Sequence, residues 1–188
     1  MKTSPSSLPY TGDPGADALI ARDPLALLVG FALDQQVPVQ KAFSGPLVLS
    51  QRLGGLDATS IAGLDPGALE AAFRERPAIH RFPGAMAARV QELCRHVATV
   101  YGGDAARIWT DAKDGADLER RLLAIPGIGA MKARSLTAVL VKRFGIRPPG
   151  WEAVMPTYPT LGDVDSAQAL ADYQAAKRAN KAALKAAG

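Results

Sequence analysis

The segment 125–133, with the sequence IPGIGAMKA, constrains the fold more than any other part of the chain. Apolar residues recur at helical spacing on both sides of it, in 117–123 and in 133–144. Pro126 would end the first helix, while Gly127 and Gly129 permit positive φ and let the backbone approach a ligand closely. The segment therefore predicts a hairpin between two helices over 117–144. Its amides would face outward at the start of the second helix, where the helix dipole favours an anion such as phosphate.

The rest of the chain also shows helix signals. Asp23-Pro24 and Asp65-Pro66 each place an N-capping carboxylate before a proline at the first helical position. No run of alternating β-branched residues suggests a strand. The predicted fold class is therefore all-α, an orthogonal multi-helix bundle of two small lobes. The expected helices, besides the two of the hairpin, cover 24–33, a segment after Pro38, 58–62, 66–73, 85–100, 104–110 and 166–187.

Length and local composition predict the domain organisation. At 188 residues the chain fits one helical domain, expected over 16–188. Residues 1–15 are rich in Ser, Pro, Gly and Thr, which predicts a flexible leader. Residues 147–161 hold four prolines, which predicts an irregular loop.

The overall composition excludes several classes of protein. Hydrophobic residues make up 48% and charged residues 21%, which is ordinary for a globular chain and excludes a mainly disordered one. No apolar run is long enough to span a membrane and the N-terminus lacks a signal-peptide pattern, so we expect a cytoplasmic, nucleoid-associated protein without a membrane partner. Cys94, the single cysteine, excludes an internal disulfide and a four-thiolate cluster, and its helical surroundings predict a small buried side chain.

Two motifs carry a resemblance to a known family. The pattern Ile-Pro-Gly-Ile-Gly-x-x-x-Ala between two helices resembles the helix-hairpin-helix (HhH-GPD) superfamily of base-excision DNA glycosylases, which includes endonuclease III and the alkyladenine glycosylases. The segment 31–39, FALDQQVPV, resembles the part in which these enzymes place a Gln near the extruded base. The resemblance implies double-stranded DNA as the partner. We expect a monomer with no cofactor and no metal, and the net charge of +4 is compatible with a basic face for phosphates.

The resemblance also implies a set of DNA-binding residues. In the hairpin these are Gly127, Gly129, Lys132 and Arg134.

Two more candidates lie outside the hairpin. Gln36, with its neighbour Gln35, would fill the gap left by an extruded base, although a polar pair after an apolar helix is also typical of a helix C-terminus. Phe82 would wedge between base steps or else plug the core. Its neighbour His80 would touch DNA or serve as a structural side chain.

The family uses a carboxylate beside the sugar, because the sugar becomes cationic as the base leaves. The segment Gly162-Asp163-Val164-Asp165-Ser166 resembles this site, and the resemblance implies Asp163 or Asp165 as the catalytic carboxylate. The spacing of the family would instead place the carboxylate earlier, near Trp151 and Glu152. The alternative is that Asp163 or Asp165 only caps the last helix.

The reaction type depends on the residue that occupies one hairpin position. In relatives that also cut the strand, a lysine two residues after the second hairpin glycine attacks the sugar, and that position is Met131 here. The resemblance thus implies a monofunctional enzyme that uses water, with Met131 and Trp151 at the pocket. Lys132 would be the nucleophile only if the hairpin register were shifted by one. Trp151 and Tyr158 would stack on the base or pack the proline-rich loop.

Two functions follow. The first is a DNA glycosylase that hydrolyses the N-glycosidic bond of a damaged or modified base flipped from duplex DNA. The second is a non-catalytic helix-hairpin-helix protein that binds DNA. Lys177, Lys181 and Lys185 form a basic stripe on the last helix that would lie along a phosphate backbone or simply face solvent.

Overall fold

The computed structural model describes residues 4–187. Within them the chain forms ten α-helices and two 3₁₀ helices and no strand, so the predicted all-α fold class is confirmed. The α-helices are α1 Pro14–Arg22, α2 Pro24–Leu33, α3 Val39–Leu53, α4 Ala58–Gly63, α5 Pro66–Arg74, α6 Pro83–Tyr101, α7 Arg107–Thr110, α8 Gly115–Leu123, α9 Ala130–Lys142 and α10 Ala167–Ala186. The first 3₁₀ helix is Trp151–Val154 and the second is Leu161–Asp163.

The predicted capping signals operate as expected. The Asp23 carboxylate accepts hydrogen bonds from the amides of Leu25 and Ala26 at 2.9 and 3.3 Å, and Asp65 accepts one from Ala68 at 3.0 Å. Each bond satisfies an amide that the first turn of the helix leaves unpaired. The Asp-Pro pairs therefore fix where α2 and α5 begin.

Helix α2 lies at the centre of the molecule. Nine of its ten residues are buried, because apolar side chains surround it on every side. It crosses α3 closely: a Cβ on Gly30 would overlap the ring of Phe43. It also packs on α6, so the C-terminal end of α2 is held in a fixed position between two long helices.

The helices form two groups that share one continuous core. The first group contains α1 to α6, and the second contains α7 to α9 with both 3₁₀ helices. Gly162 allows the second 3₁₀ helix to pack tightly on α9, since a Cβ there would come within 2.6 Å of the backbone of Ala138. The hairpin between α8 and α9 lies at the boundary between the groups, where Lys132 reaches α2 and Arg89 of α6 covers Gly127.

The expected flexible leader is wrong for residues 4–15. Leu8 and Tyr10 are fully buried, and the Tyr10 hydroxyl donates to the carbonyl of Leu161 at 2.8 Å. The Asp17 carboxylate accepts the amide of Thr11 at 2.8 Å, which holds the segment on α1. The physical reason is that removing two large apolar side chains from water stabilises the docked segment, although its Ser- and Pro-rich composition favours turns. Residues 1–3 of the expected leader lie outside the described residues.

Cys94 is buried, as its helical surroundings predict. Burial raises the pKa of its thiol to about 12, so the side chain behaves as a small apolar group. None of the described helices is both long enough and apolar enough to cross a membrane.

Candidate nucleic-acid interface

The hairpin turns the chain between α8 and α9, and two isoleucines anchor it. Ile125 and Ile128 are buried, and the Ile128 amide donates to the Ile125 carbonyl at 3.0 Å, which closes the turn. Gly129 is the N-cap of α9 and no side chain caps this helix. The first-turn amides of α9 therefore have no side-chain partner at the end where the helix dipole is positive.

The two hairpin glycines have different roles. Gly127 has φ +85°, and a Cβ there would come within 2.7 Å of Cδ of Arg89. Gly129 has φ −83°, and a Cβ there would meet no atom within 4 Å. Gly129 therefore does not use the positive φ that glycine permits. Its extended backbone suits any residue, and what glycine provides at this position is an uncovered surface beside the α9 amides.

An open depression of ≈ 630 Å³ lies next to the hairpin. Its walls come from the hairpin, the end of α2 and the first turns of α6. The residues that line it are Gln35, Arg89, Leu123, Ile125, Gly127, Ile128, Gly129, Ala130, Met131 and Lys132. Of the predicted site residues, the depression thus brings together both glycines, Met131 and Lys132.

Arg89 spans this depression, and sequence reasoning missed it. Its guanidinium donates to the side-chain carbonyl of Gln35, while its aliphatic part covers Gly127. It joins the end of α2 to the hairpin and leaves a positive charge on the concave surface. The only sequence signal was a basic residue in the second turn of the helix that begins at Pro83, and many surface arginines share that pattern.

The imidazole of His80 ties the α2–α3 loop to the loop before α6. His80 is buried, its Nε2 lies 3.1 Å from the Leu33 carbonyl and 3.0 Å from the Gln35 carbonyl, and its Nδ1 accepts the amide of Phe82 at 3.0 Å. These partners require the neutral tautomer that carries its proton on Nε2. His80 is thus the structural side chain of the two alternatives, and it holds Gln35 and Phe82 close together.

Gln36 and Phe82 are both exposed, although neither is among the residues that line the depression. Gln36 has φ +56°, a left-handed conformation that is costly for a residue with a side chain. Phe82 is 41% exposed, with the Arg81 guanidinium 5.3 Å from its ring centre. Neither side chain is a core plug. Both remain free to meet a partner.

Met131 and Lys132 point in different directions. Met131 is 67% exposed, and the Tyr158 hydroxyl donates to its sulfur at 3.5 Å. The ammonium group of Lys132 donates to the carbonyls of Ala32 at 3.1 Å and Gly127 at 3.4 Å. Burial lowers the pKa of Lys132, although the nearby Asp34 carboxylate opposes this shift. Lys132 therefore joins the hairpin to the end of α2, where the helix carbonyls attract a cation.

Asp34 is a second residue that sequence reasoning missed. It is the C-cap of α2, directly before Gln35, and it is half-buried. Burial raises the pKa of its carboxyl, while the ammonium groups of Lys177 and Lys132 act against that rise. The charge of Asp34 in turn contributes to a raised pKa of Tyr173, whose first cause is burial. A carboxyl group thus lies among two lysines and a tyrosine, directly before Gln35, although Asp34 is not itself among the residues that line the depression.

Asp163 lies elsewhere. It forms an ion pair with Lys142, the last residue of α9, and its other oxygen accepts the amide of Thr160 at 2.9 Å in a capping box. Burial raises the pKa of Asp163, but the hydrogen bonds from Lys142 and Thr160 outweigh burial and the net shift is downward. Asp165 is exposed directly before Ser166, the N-cap of α10. Neither carboxylate is among the residues that line the depression.

Trp151 and Arg134 complete the predicted set. Trp151 does not line the depression. A Cβ on Gly115, at the start of α8, would come within 2.9 Å of the Cα of Trp151. Trp151 therefore packs at the end of α8 that lies opposite the hairpin. Arg147 lies 5.3 Å from its ring centre. The expectation of Trp151 beside Met131 is therefore wrong, because the 147–161 loop first packs against α8 and returns to Met131 only at Tyr158. Arg134 is exposed in the second turn of α9 and faces solvent.

No protein-family model, no curated protein and no solved structure matches this chain.

Proposed function

We propose that the protein binds duplex DNA through the hairpin and hydrolyses the N-glycosidic bond of a base flipped into the neighbouring depression. One observation carries the proposal. The uncapped start of α9, with Gly129 open beside it, shares a single concave surface with Gln35 and Met131. An anion-binding helix end and a pocket for a base are the two parts that such an enzyme must hold side by side.

The phosphate backbone would bind at the amides of α9. Backbone amides at a helix N-terminus bind phosphate without reading sequence, so they position the protein along the duplex. Arg134 lies in the second turn of the same helix and Arg89 across the depression, and each adds a positive charge near the amides.

Gln36 and Phe82 would open the duplex. A flipped base leaves a gap in the stack, and a polar side chain that fills it, with an apolar ring that enters the adjacent step, lowers the cost of flipping. The strained backbone of Gln36 supports this role, since residues held at positive φ concentrate at functional sites. His80 couples the pair, because it bonds to the carbonyl of Gln35 and to the amide of Phe82.

Asp34 is the carboxyl group that we assign to the chemistry. Burial raises the pKa of this carboxyl, which favours a general acid that donates a proton to the departing base and, as the carboxylate, then opposes the positive charge on the sugar. Water adds to the anomeric carbon and its proton returns to Asp34, which restores the starting state. Asp163 stays the alternative catalytic carboxylate, because its Gly-Asp-Val segment resembles the family motif.

A panel of duplexes tests the proposal. Each duplex carries one uracil, hypoxanthine, alkylated or oxidised base, and excision is measured by strand cleavage after alkali. We expect excision of at least one modified base and none from the undamaged duplex. Excision that is absent from the whole panel, in a protein that binds the same duplexes, would reject the enzymatic part.

A non-catalytic DNA-binding protein is the second candidate. The observation that favours it is that the Asp163 carboxylate already pairs with Lys142 and takes part in a capping box. Asp165 lies just before α10, also outside the depression. This candidate keeps the hairpin and the phosphate contacts and predicts equal affinity for damaged and undamaged duplexes.

A further inference from the structure

The C-terminal half of α10 extends beyond the body of the protein. Every residue from 175 to 187 is exposed, whereas Leu170 is buried and Tyr173 and Gln174 are half-buried. At 1.5 Å per residue, this exposed part is roughly 20 Å long. We call residues 175–187 the basic arm, because it carries Lys177, Arg178, Lys181 and Lys185 and no acidic residue.

The arm leaves the body beside the proposed DNA face. The side chains of Gln174 and Gln40 exchange two hydrogen bonds of 2.9 and 3.1 Å, which fasten α10 to the start of α3. One turn later the ammonium of Lys177 lies 5.8 Å from the ring centre of Tyr173 and close enough to Asp34 to lower its pKa. The α2–α3 junction that carries Gln35 and Gln36 is therefore also the point from which the arm departs.

The charge pattern of the arm is unfavourable in an isolated helix. Lys177, Lys181 and Lys185 are spaced four residues apart, so their like charges lie above one another on one face and repel. A polyanion along that face would remove the repulsion. The arm is otherwise rich in alanine, which favours helical backbone at these positions.

The arm suits nucleic acid better than a membrane surface. A helix that lies in a membrane interface needs a broad apolar face, and Leu184, which is 70% exposed, is the one large apolar side chain in 175–187. A row of cations without an apolar face matches a phosphate backbone, to which it binds by releasing counterions.

We propose that the basic arm is a second DNA-binding element that lies along the phosphate backbone outside the segment held by the hairpin. The inference rests on the proposed function for its partner, duplex DNA, and adds a separate contact surface. It predicts that the protein covers a longer stretch of duplex than the hairpin face alone can reach.

The test compares two triple variants of the full chain. Arg178→Gln with Lys181→Gln and Lys185→Gln removes arm charges and keeps residues that favour a helix. Arg22→Gln with Arg95→Gln and Lys113→Gln removes three exposed charges from other elements, so both variants have the same net charge. Binding to an undamaged 25-base-pair duplex is measured from low to high salt, and hydrogen exchange of residues 175–187 is measured with and without that duplex.

We expect the arm variant to lose about 2 to 3 from the log–log salt slope and roughly tenfold or more in affinity at low salt, since three charges are removed and each phosphate contact contributes about 0.9 to the slope. The control variant should keep the wild-type slope, and the arm amides of the wild type should become protected on binding. An unchanged slope in the arm variant overturns the proposal, as does an equal loss in both variants.

Two further outcomes separate this inference from its alternatives. If the wild type excises a base and the arm variant binds DNA as the wild type does, the proposal for the arm is rejected and the glycosylase proposal stands. If the slope falls as expected but no base is excised, the arm stands and the enzymatic proposal fails. Binding to phosphatidylserine vesicles as tight as binding to the duplex, with an unchanged duplex slope, would assign the arm to a membrane and overturn the proposal.

Discussion

Lys142 and Asp163 form an ion pair at the C-terminal end of α9, whereas the hairpin lies at the N-terminal end of the same helix. Thirteen residues of helix separate the two ends by roughly 20 Å. One of the two carboxylates that resemble the family motif is thus engaged at a distance from the depression. Asp34 directly precedes Gln35, which lines the depression, and it carries the opposite pKa shift.

These opposite shifts lead to opposite expectations for two matched variants. Burial disfavours the ionised form of Asp34, so Asp34→Asn should leave the free energy of unfolding at pH 7 unchanged or higher. Because the variant lacks the proposed catalytic carboxyl, it should slow excision by at least about 100-fold. Asp163→Asn removes a partner of Lys142 and Thr160, so it should lower stability above pH 4 and leave excision nearly unchanged. Urea unfolding and single-turnover excision measure the two effects. If excision is slow in the Asp163 variant and as fast as the wild type in the Asp34 variant, Asp163 is the catalytic carboxylate instead.

The two hairpin glycines should respond differently to alanine. Gly127→Ala combines positive φ with a clash against Arg89, so the fold should lose about 1–3 kcal/mol. Gly129→Ala meets no neighbouring atom and should leave the melting temperature almost unchanged, while the added methyl group lowers affinity for every duplex alike. Thermal unfolding and fluorescence anisotropy provide the measurements. Wild-type affinity in the Gly129 variant would show that phosphate does not approach the hairpin there.

Borohydride trapping tests the reaction type. By the resemblance described above, Met131 would stand where strand-cutting relatives carry the lysine nucleophile, and the Lys132 ammonium is bonded to the carbonyls of Ala32 and Gly127. No covalent protein–DNA adduct should therefore form, and strands should break only after alkali or heat. Lys132→Met serves as the control: an adduct in the wild type that disappears in this variant would assign Lys132 as the nucleophile.

His80 predicts a pH dependence of stability. Burial lowers its pKa below 6.5, and protonation of Nδ1 would break the bond from the Phe82 amide. The unfolded chain then binds more protons than the folded one between the lowered pKa and 6.5, so stability is present above pH 6.5 and falls as the pH drops through this window. Urea unfolding at pH 7, 6 and 5 measures the decline.

His80→Gln isolates this contribution, because glutamine keeps a donor and an acceptor without titrating. Burial also lowers the pKa of His96, which contributes in the same direction in both proteins. The decline should therefore be smaller in the variant. Equal declines would mean that His80 does not titrate on unfolding.

The sequence predicted the helices better than it predicted the site. Each predicted helix is present, because Asp-Pro caps and helical periodicity act over short distances. The same Asp-Pro signal opens α1 at Asp13-Pro14, but the Ser- and Pro-rich composition around it suggested a leader instead. What composition could not reveal is that Tyr10 has partners as distant as Phe43 and Leu161.

The candidate site depends on partners distant in sequence even more than the N-terminal segment does. Arg89 acquires a role only because α6 passes beside the hairpin, and Asp34 only because α9 and α10 bring Lys132 and Lys177 to the end of α2. No local pattern encodes these approaches. Conversely, the match of Asp163 to a short motif gave no information about its distance from the hairpin, which the packing of Gly162 on α9 determines.

The hydrogen bond from Tyr10 to Leu161 has a consequence for synthesis of the protein on the ribosome. Tyr10 is translated 151 residues before its acceptor. The N-terminal segment can dock on α1 and Phe43 at once, yet its last bond must wait until residue 161 has left the exit tunnel. The segment around Tyr10 is thus fully secured only after Leu161 is available, and until then the Tyr10 hydroxyl lacks this bond.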